Sequence, residues 1–254
     1  NIYEDSAYYF LRLGGETGKR IETVTHAGVP YYSSNQTYGY IHYENDLVNL
    51  LDLDPGGEGS GKDWYGDELS NTRELNFGNA FIFDHLDLSR NGRFSYSFAG
   101  RAAVQSKFLA EVEAKTVQST INPIIYSSIS RFAQLARKSE SFQPVSDLVR
   151  AVIRYPQLSG NTASQGWLDY FQVSAWSNLV WGNKTLFILD PESAAHELTL
   201  FSVQQAPASL KFWDLTDPAE VQFMRDTMVS GGTRGFVANT KNQYRLFAAF
   251  DEGQ

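Results

Sequence analysis

Apolar and polar residues alternate at a period of two along much of the chain, the spacing of a half-buried β-strand rather than of a helix. In Phe94-Ser-Tyr-Ser-Phe98, three rings alternate with two serines. Phe108, Ala110, Val112 and Ala114 continue the pattern, with Lys107, Glu111, Glu113 and Lys115 on the opposite side, and one strand is predicted over them. Further strands are predicted at Tyr38–Tyr43, Val149–Arg154 (ended by Pro156), Leu168–Ser174, Thr185–Leu189, His196–Phe201 and Tyr244–Phe250. Near the start, Ser6–Leu13 and Arg20–Thr25 flank Gly14, Gly15 and Gly18, which reads as a hairpin.

Two segments depart from this period. Ile129, Phe132, Ala133 and Ala136 stand at helical spacing with Arg131, Arg137 and Lys138 opposite, so helix and strand remain open there. Asp217-Pro218 has the form of a helix start, the aspartate as N-cap and the proline at the first helical position, for about one turn. Many short strands separated by Gly, Pro and Asn turns predict a mostly β fold: an antiparallel β-sandwich or jelly roll with a small hairpin region and few short helices.

Between Asp52 and Lys62 the chain holds Asp52, Asp54, Glu58, Lys62 and glycines at 56, 57, 59 and 61. That composition cannot build a core and reads as a linker or loop. The predicted organisation is therefore a small β region over 1–51, a Gly-rich linker over 52–62, a sandwich over 63–210 and terminal strands over 211–254.

Composition sharpens this picture. Of 254 residues, 17 are Phe, 14 Tyr and 5 Trp, a bias towards sheet. The formal charge of −8 repels phosphate backbones, which makes nucleic acid a poor partner. No run approaches the 18 apolar residues of a membrane-spanning helix. The first residue is Asn1, with no signal-like segment behind it, so the chain reads as a processed piece of a longer protein. There is no cysteine, hence no disulfide and no thiolate nucleophile within these residues.

Candidate chemistry is sparse. His26, His42, His85 and His196 are scattered without metal-ligand or dyad spacing and read as structural histidines. Asp52, Asp54, Glu58 and Asp63 could offer oxygens to calcium, although Gly56 stands where an EF-hand loop needs Asp or Asn. Asp84-His85-Leu-Asp87 is a second such cluster. Solvated loop charge is the competing explanation for both, so no cofactor is required and calcium is the one candidate. Trp64, Tyr65, Trp167, Trp176, Trp181 and Trp213 could supply a ring platform for sugar, with Trp64, Tyr65 and Trp181 as the candidate binding surface. Burial in a core is the alternative fate of each. Trp64 and Trp213 are expected to anchor the ends of the sandwich, Asp214 and Asp217 to cap turns, and Asp169 to face solvent or find a partner.

Several strings, in consistent order, together resemble the gingipain-type cysteine peptidases (family C25), and within them the sorting peptidases of the Bacteroidetes type IX secretion system. Asp5–Leu11 with Gly18–Ile21 resembles an early strand pair, and Glu44–Leu50 followed by Ser60–Leu69, with its Trp64-Tyr65-Gly66 centre, a stretch further on. Gly166–Phe171, Phe212–Pro218 with Val221, and Tyr244–Asp251 are similar to later strands. Residues 54–59 and 118–145 depart from the family pattern. The resemblance covers the region before the peptidase domain. It implies a non-catalytic accessory domain of an exported enzyme at the cell surface or outer membrane of a Gram-negative bacterium. Its partners would be its own C-terminal peptidase domain, beyond Gln254, and secreted cargo or secretion-system proteins. The alternative function is a β-sandwich module that binds surface glycan or a partner of the secretion machinery.

Overall fold

The computed structural model describes residues 14, 20–50, 64–125, 132–157 and 163–251. In chain order the strands are β1 (Glu22–Val24), β2 (Tyr32–Ser34), β3 (Gln36–Glu44), β4 (Val48–Asn49), β5 (Trp64–Glu68), β6 (Glu74–Asn76), β7 (Gly92–Arg101), β8 (Ser106–Val112), β9 (Lys115–Ile121) and β10 (Gln134–Phe142). They continue as β11 (Ala151–Arg154), β12 (Gln165–Asn178), β13 (Leu186–Ile188), β14 (Leu198–Gln204), β15 (Leu210–Asp214), β16 (Gln222–Met224), β17 (Asp226–Ser230), β18 (Thr233–Asn239) and β19 (Phe247–Asp251). A single 3-10 helix, Pro191–Ala195, is the only helical element among the described residues. The fold is mostly β, as the alternation predicts.

These strands form two sandwiches. In the first, a sheet ordered β10-β7-β12-β5-β4, with β3 also on β12, faces a sheet ordered β6-β11-β8-β9. Phe94, Tyr96, Phe98 and Phe171 from one sheet meet Phe108, Val112 and Ile153 from the other, all fully buried. The rings touch directly: Phe98 stacks on Phe108 at 4.2 Å and Phe94 on Phe171 at 5.9 Å. Buried hydroxyls within this core are paired, Tyr96 with Ser119 at 2.7 Å and Ser106 with Tyr155 at 2.8 Å, as burial in a low dielectric requires. In the second sandwich, a sheet ordered β1-β16-β15-β19-β13 covers one ordered β17-β18-β14-β2 around Phe201, Phe212, Phe236 and Phe247.

The division of the chain differs from the sequence boundaries. Strands after residue 210 are not a trailing group, because β15 to β19 pair among themselves and with β13 and β14 in one sandwich. The first sandwich likewise begins at β3, inside the predicted 1–51 region. Arg20–Thr25 contributes β1, but its described partner is β16, in parallel, rather than a hairpin mate. The predicted strand Ser6–Leu13 and the linker over 52–62 lie outside the described residues.

Local differences have local causes. The strand predicted through Ala114 turns back at Glu113-Ala114, with Val112 paired to Lys115. Glu113 adopts φ +50, a conformation in which Gly or Asn is the usual signal. Of the open segment, the described part from Gln134 is a strand, β10, paired along its whole length with β7. Asp217 makes a turn, not a helix: its carboxylate accepts from the Ala219 amide at 2.9 Å and its carbonyl from Glu220. Asp214 caps as expected, accepting from the Thr216 amide at 2.9 Å, and also forms a buried ion pair with Arg245.

Candidate functional site

The first sandwich shows a feature on the outer face of the sheet carrying β3, β12, β7 and β10. Because the inner face takes Phe94, Tyr96, Phe98 and Phe171, strand parity turns Arg93, Ser95 and Ser97 outward. Pairing sets them in rows across the strands. Tyr40, Ser174, Arg93 and Ser141 make one row; His42, Gln172, Ser95 and Ser139 the next; Glu44, Tyr170, Ser97 and Arg137 the third. The middle of this face thus carries short hydroxyl side chains, of which Ser139 and Ser141 are exposed, Ser95 half-buried, and Ser97 and Ser174 covered by their neighbours.

Both ends of the face are raised. At one end, Leu50, Tyr65, Ala133 and the half-buried Phe132 pack over Ala99 and Trp167. Trp167 and Tyr170 both face outward because β12 shifts register against β7 between Leu168 and Tyr170, a β-bulge that contains Asp169. At the other end the second sandwich closes in. The Tyr38 amide donates to the Leu189 carbonyl at 2.7 Å, and Thr37 Oγ1 accepts from the Leu189 amide at 3.0 Å. Asp190 then caps the 3-10 helix through the Glu192 amide at 2.8 Å and accepts from the Tyr32 hydroxyl at 3.0 Å. Burial and the neighbouring Asp190 carboxylate push the Tyr32 phenol well above its ordinary range.

A recess of 360 Å³ lies at this junction, bordered by Tyr38, Trp176, Arg93, Ser141, Pro191 and Glu192. Arg90 organises its wall. Its guanidinium lies 3.6 Å from the centre of the Trp176 ring, donates to Gln36 Oε1 at 2.9 Å and pairs with Glu192. Gln36 passes the network on to Asp87 Oδ2 at 2.6 Å. A second recess, of 460 Å³, opens beside Ser34, Asn35, Ser202, Gln204 and Thr233, with neither a charged nor an aromatic side chain in its lining.

The residues singled out from sequence are not gathered into one place. Of the candidate platform, Trp64 is 39% exposed, whereas Tyr65 at 2% and Trp181 at 7% have no free face to offer a ligand. The alternation of β5 buries Tyr65 and turns Trp64 out, so Tyr65 rather than Trp64 anchors that end of the sandwich. Trp213 is half-buried against Phe250 at 4.7 Å. Asp52 and Asp54, like Glu58 and Asp63, lie outside the described residues. Asp84 pairs with Lys184, and Asp87 is engaged by the Ser89 hydroxyl at 2.6 Å and amide at 2.9 Å. These bonds, the Ser89 hydroxyl first, hold the Asp87 carboxyl below its usual value. Among the described residues no three acidic or histidine side chains converge as a metal site would need.

The histidines are dispersed, as expected: His42 bonds Glu44 at 2.7 Å, His196 stacks on Tyr32 at 4.2 Å, and His85 sits in a turn at φ +55. Sequence reasoning missed the serine-paved face. Its signal was present in the paired Arg-x-Ser-x-Ser spacing of Arg93, Ser95, Ser97 and of Arg137, Ser139, Ser141.

No family model matches the chain, and no curated protein matches it by sequence. Its fold is similar to the crystal structure of dimeric latent PorU from Porphyromonas gingivalis, with a TM-score of 0.75 and 16% identity over 92% of this chain. The chain corresponds to 22% of that structure, and at this identity the likeness establishes the fold. A carbohydrate-binding domain (CBM36-1) of a xylanase from the hindgut metagenome of Trinervitermes trinervoides aligns with 54% of this chain and 96% of its own at 6% identity, and a Paenibacillus cycloisomaltooligosaccharide glucanotransferase with 87% and 47% at 9%. Their TM-scores of 0.24 and 0.26 are too low to bear on this chain. No helix among the described residues is long and apolar enough to cross a membrane.

Proposed function

We propose that this chain is a non-catalytic accessory module of a gingipain-type cysteine peptidase, exported to the surface of a Gram-negative bacterium, which positions the peptidase domain or restricts access to it. The observation that carries the reading is the likeness of fold to PorU over 92% of the chain, in a sequence without any cysteine. The ordered strings resembling type IX sorting peptidases support it from the sequence side. Processing or sorting of secreted cargo then belongs to the whole polypeptide, with the thiolate supplied from outside these residues. The test is thiol-directed labelling of the native gene product, followed with an antibody against this chain. The expected result is a thiol-reactive polypeptide much longer than these 28.5 kDa, labelled outside them. An immunoreactive product with no reactive thiol would refute the reading.

The outer face of the first sandwich favours a second reading, a binding module for a partner protein or surface glycan. Two walls, a hydroxyl-rich floor and a ring-bordered recess provide shape and hydrogen-bonding groups that a mere spacer does not need.

A further inference from the structure

The serine-lined face carries two arginines that are held by hydroxyls, whereas several arginines elsewhere are held by carboxylates. Arg90, Arg154, Arg234 and Arg245 each meet a carboxylate: Glu192, Glu74 and Glu111, Asp226, and Asp214 respectively. Arg93 and Arg137, both exposed, meet only hydroxyls. Arg93 Nη1 donates to Ser139 Oγ and Arg137 Nε to Ser97 Oγ, each at 3.1 Å. A guanidinium held by a neutral acceptor keeps most of its five donors, and all of its charge, for an incoming anion.

Their spacing selects the kind of anion. Ser139 is paired with Ser95, two residues from Ser97 along β7, so the anchoring hydroxyls repeat at about 7 Å along the strand direction. Same-face side chains of an extended polypeptide repeat at the same distance. The small side chains of the half-buried Ser95 and the exposed Ser139 leave space for such a segment to lie close to the sheet. Sugar recognition would instead draw on ring faces, and three rings of this face are engaged, Trp176 under Arg90 at 3.6 Å, Tyr170 on His42 at 5.3 Å and Tyr38 against Trp176 at 5.1 Å, which leaves the exposed Tyr40 as the ring open to a sugar. Charge supplies the remaining argument. With a net −8 the chain as a whole repels an acidic segment, and the guanidiniums of Arg93 and Arg137, held by hydroxyls, supply the local attraction.

We propose that the outer face of β7 and β10 docks an extended, carboxylate-rich segment of a partner polypeptide, with acidic residues two positions apart paired to Arg93 and Arg137. This deepens the binding-module reading and rests on it, while the accessory role is tested separately by thiol labelling. The probes are a ten-residue peptide of alternating Thr and Glu, its Thr/Gln counterpart, and oligogalacturonate as an acidic glycan. Fluorescence polarisation with the Thr/Glu peptide is expected to report binding that weakens as salt rises. Arg93→Gln and Arg137→Gln are each expected to weaken it about tenfold, with an unchanged melting temperature that shows the fold intact. Equal binding of the Thr/Gln peptide, indifference to both substitutions, or tighter binding of oligogalacturonate than of the Thr/Glu peptide would each overturn the proposal.

Discussion

The two sandwiches share a plan, two sheets over a cluster of phenylalanines, but they are closed by different means. The first is assembled from strands consecutive in the chain, β3 to β12, and its core holds neutral hydroxyl pairs, Tyr96–Ser119 and Ser106–Tyr155. The second draws β1 and β2 from before that stretch and seats them in parallel, Glu22 beside Gln222 and Tyr32 beside Thr199. Its polar groups include ion pairs, Asp214 with Arg245 and Asp226 with Arg234, the first almost fully buried. A uniform aromatic core tolerates changes of pH and salt. A core closed by long-range strands and charge pairs does not, so the two units should respond differently to the same stress.

The largest separation is expected from core truncation. Phe171 touches Phe77, Phe81, Phe94 and Tyr96. Phe171→Ala should cost about 3–5 kcal/mol in the first sandwich. Hydrogen exchange would then show lost protection in Gly92–Arg101 and retained protection in Thr233–Asn239. Equal loss in both would show that the sandwiches unfold as one unit. The mirror experiment is Arg245→Ala, which strands Asp214, itself only 3% exposed, as a buried charge without its cation. A loss of about 3–5 kcal/mol is expected, confined to the second sandwich.

A smaller effect is expected at Gly166, where an added Cβ would lie 2.3 Å from Phe98 and 2.9 Å from Tyr155. Gly166→Ala should lower stability by about 1–3 kcal/mol in urea unfolding followed by Trp167 fluorescence. An unchanged midpoint would mean that the core under β7 is looser than the structure shows.

The smallest effect is in the pH profile. Burial, and then the charge of Arg245, lower the pKa of His26 beside the second sandwich, with Asp214 opposing. The unfolded chain therefore binds the proton more readily, and stability present above about pH 6.5 declines as pH falls below it. Asp87, also lowered, supports the first sandwich above about pH 4 and loses its contribution only below that. His26→Gln should flatten the decline in melting temperature between about pH 7 and 5, whereas Asp87→Asn should leave that window unchanged.

Much of this architecture was legible in the sequence, because strand alternation is a local property. Phe94–Phe98 and Leu168–Ser174 both lie in strands, and Asp214 and Asp217 both hold turns. What escaped was either polar in composition or distant in sequence. Lys115–Ile121 reads Lys-Thr-Val-Gln-Ser-Thr-Ile, too polar to stand out, and is a strand because it closes on β8. The parallel seats of β1 and β2 depend on partners far along the chain, for which no local signal exists. The outer face of β7 and β10 was half visible, since Ser95 and Ser97 alternate with rings. Only the pairing with Ser139 and Ser141 makes a surface of them. Parity likewise decided between neighbours at Trp64 and Tyr65, and periodicity alone does not say which of two adjacent rings turns inward.

If these residues act as proposed, they govern a peptidase without performing its chemistry. The most direct measurement is kcat/KM for cleavage of a cargo-derived peptide by the native polypeptide, compared with a version from which this module has been removed. A change of about tenfold or more is predicted, with thiol sensitivity unaltered because the nucleophile lies elsewhere. An identical kcat/KM in the two proteins, or peptide cleavage by the 254 residues alone, would contradict it.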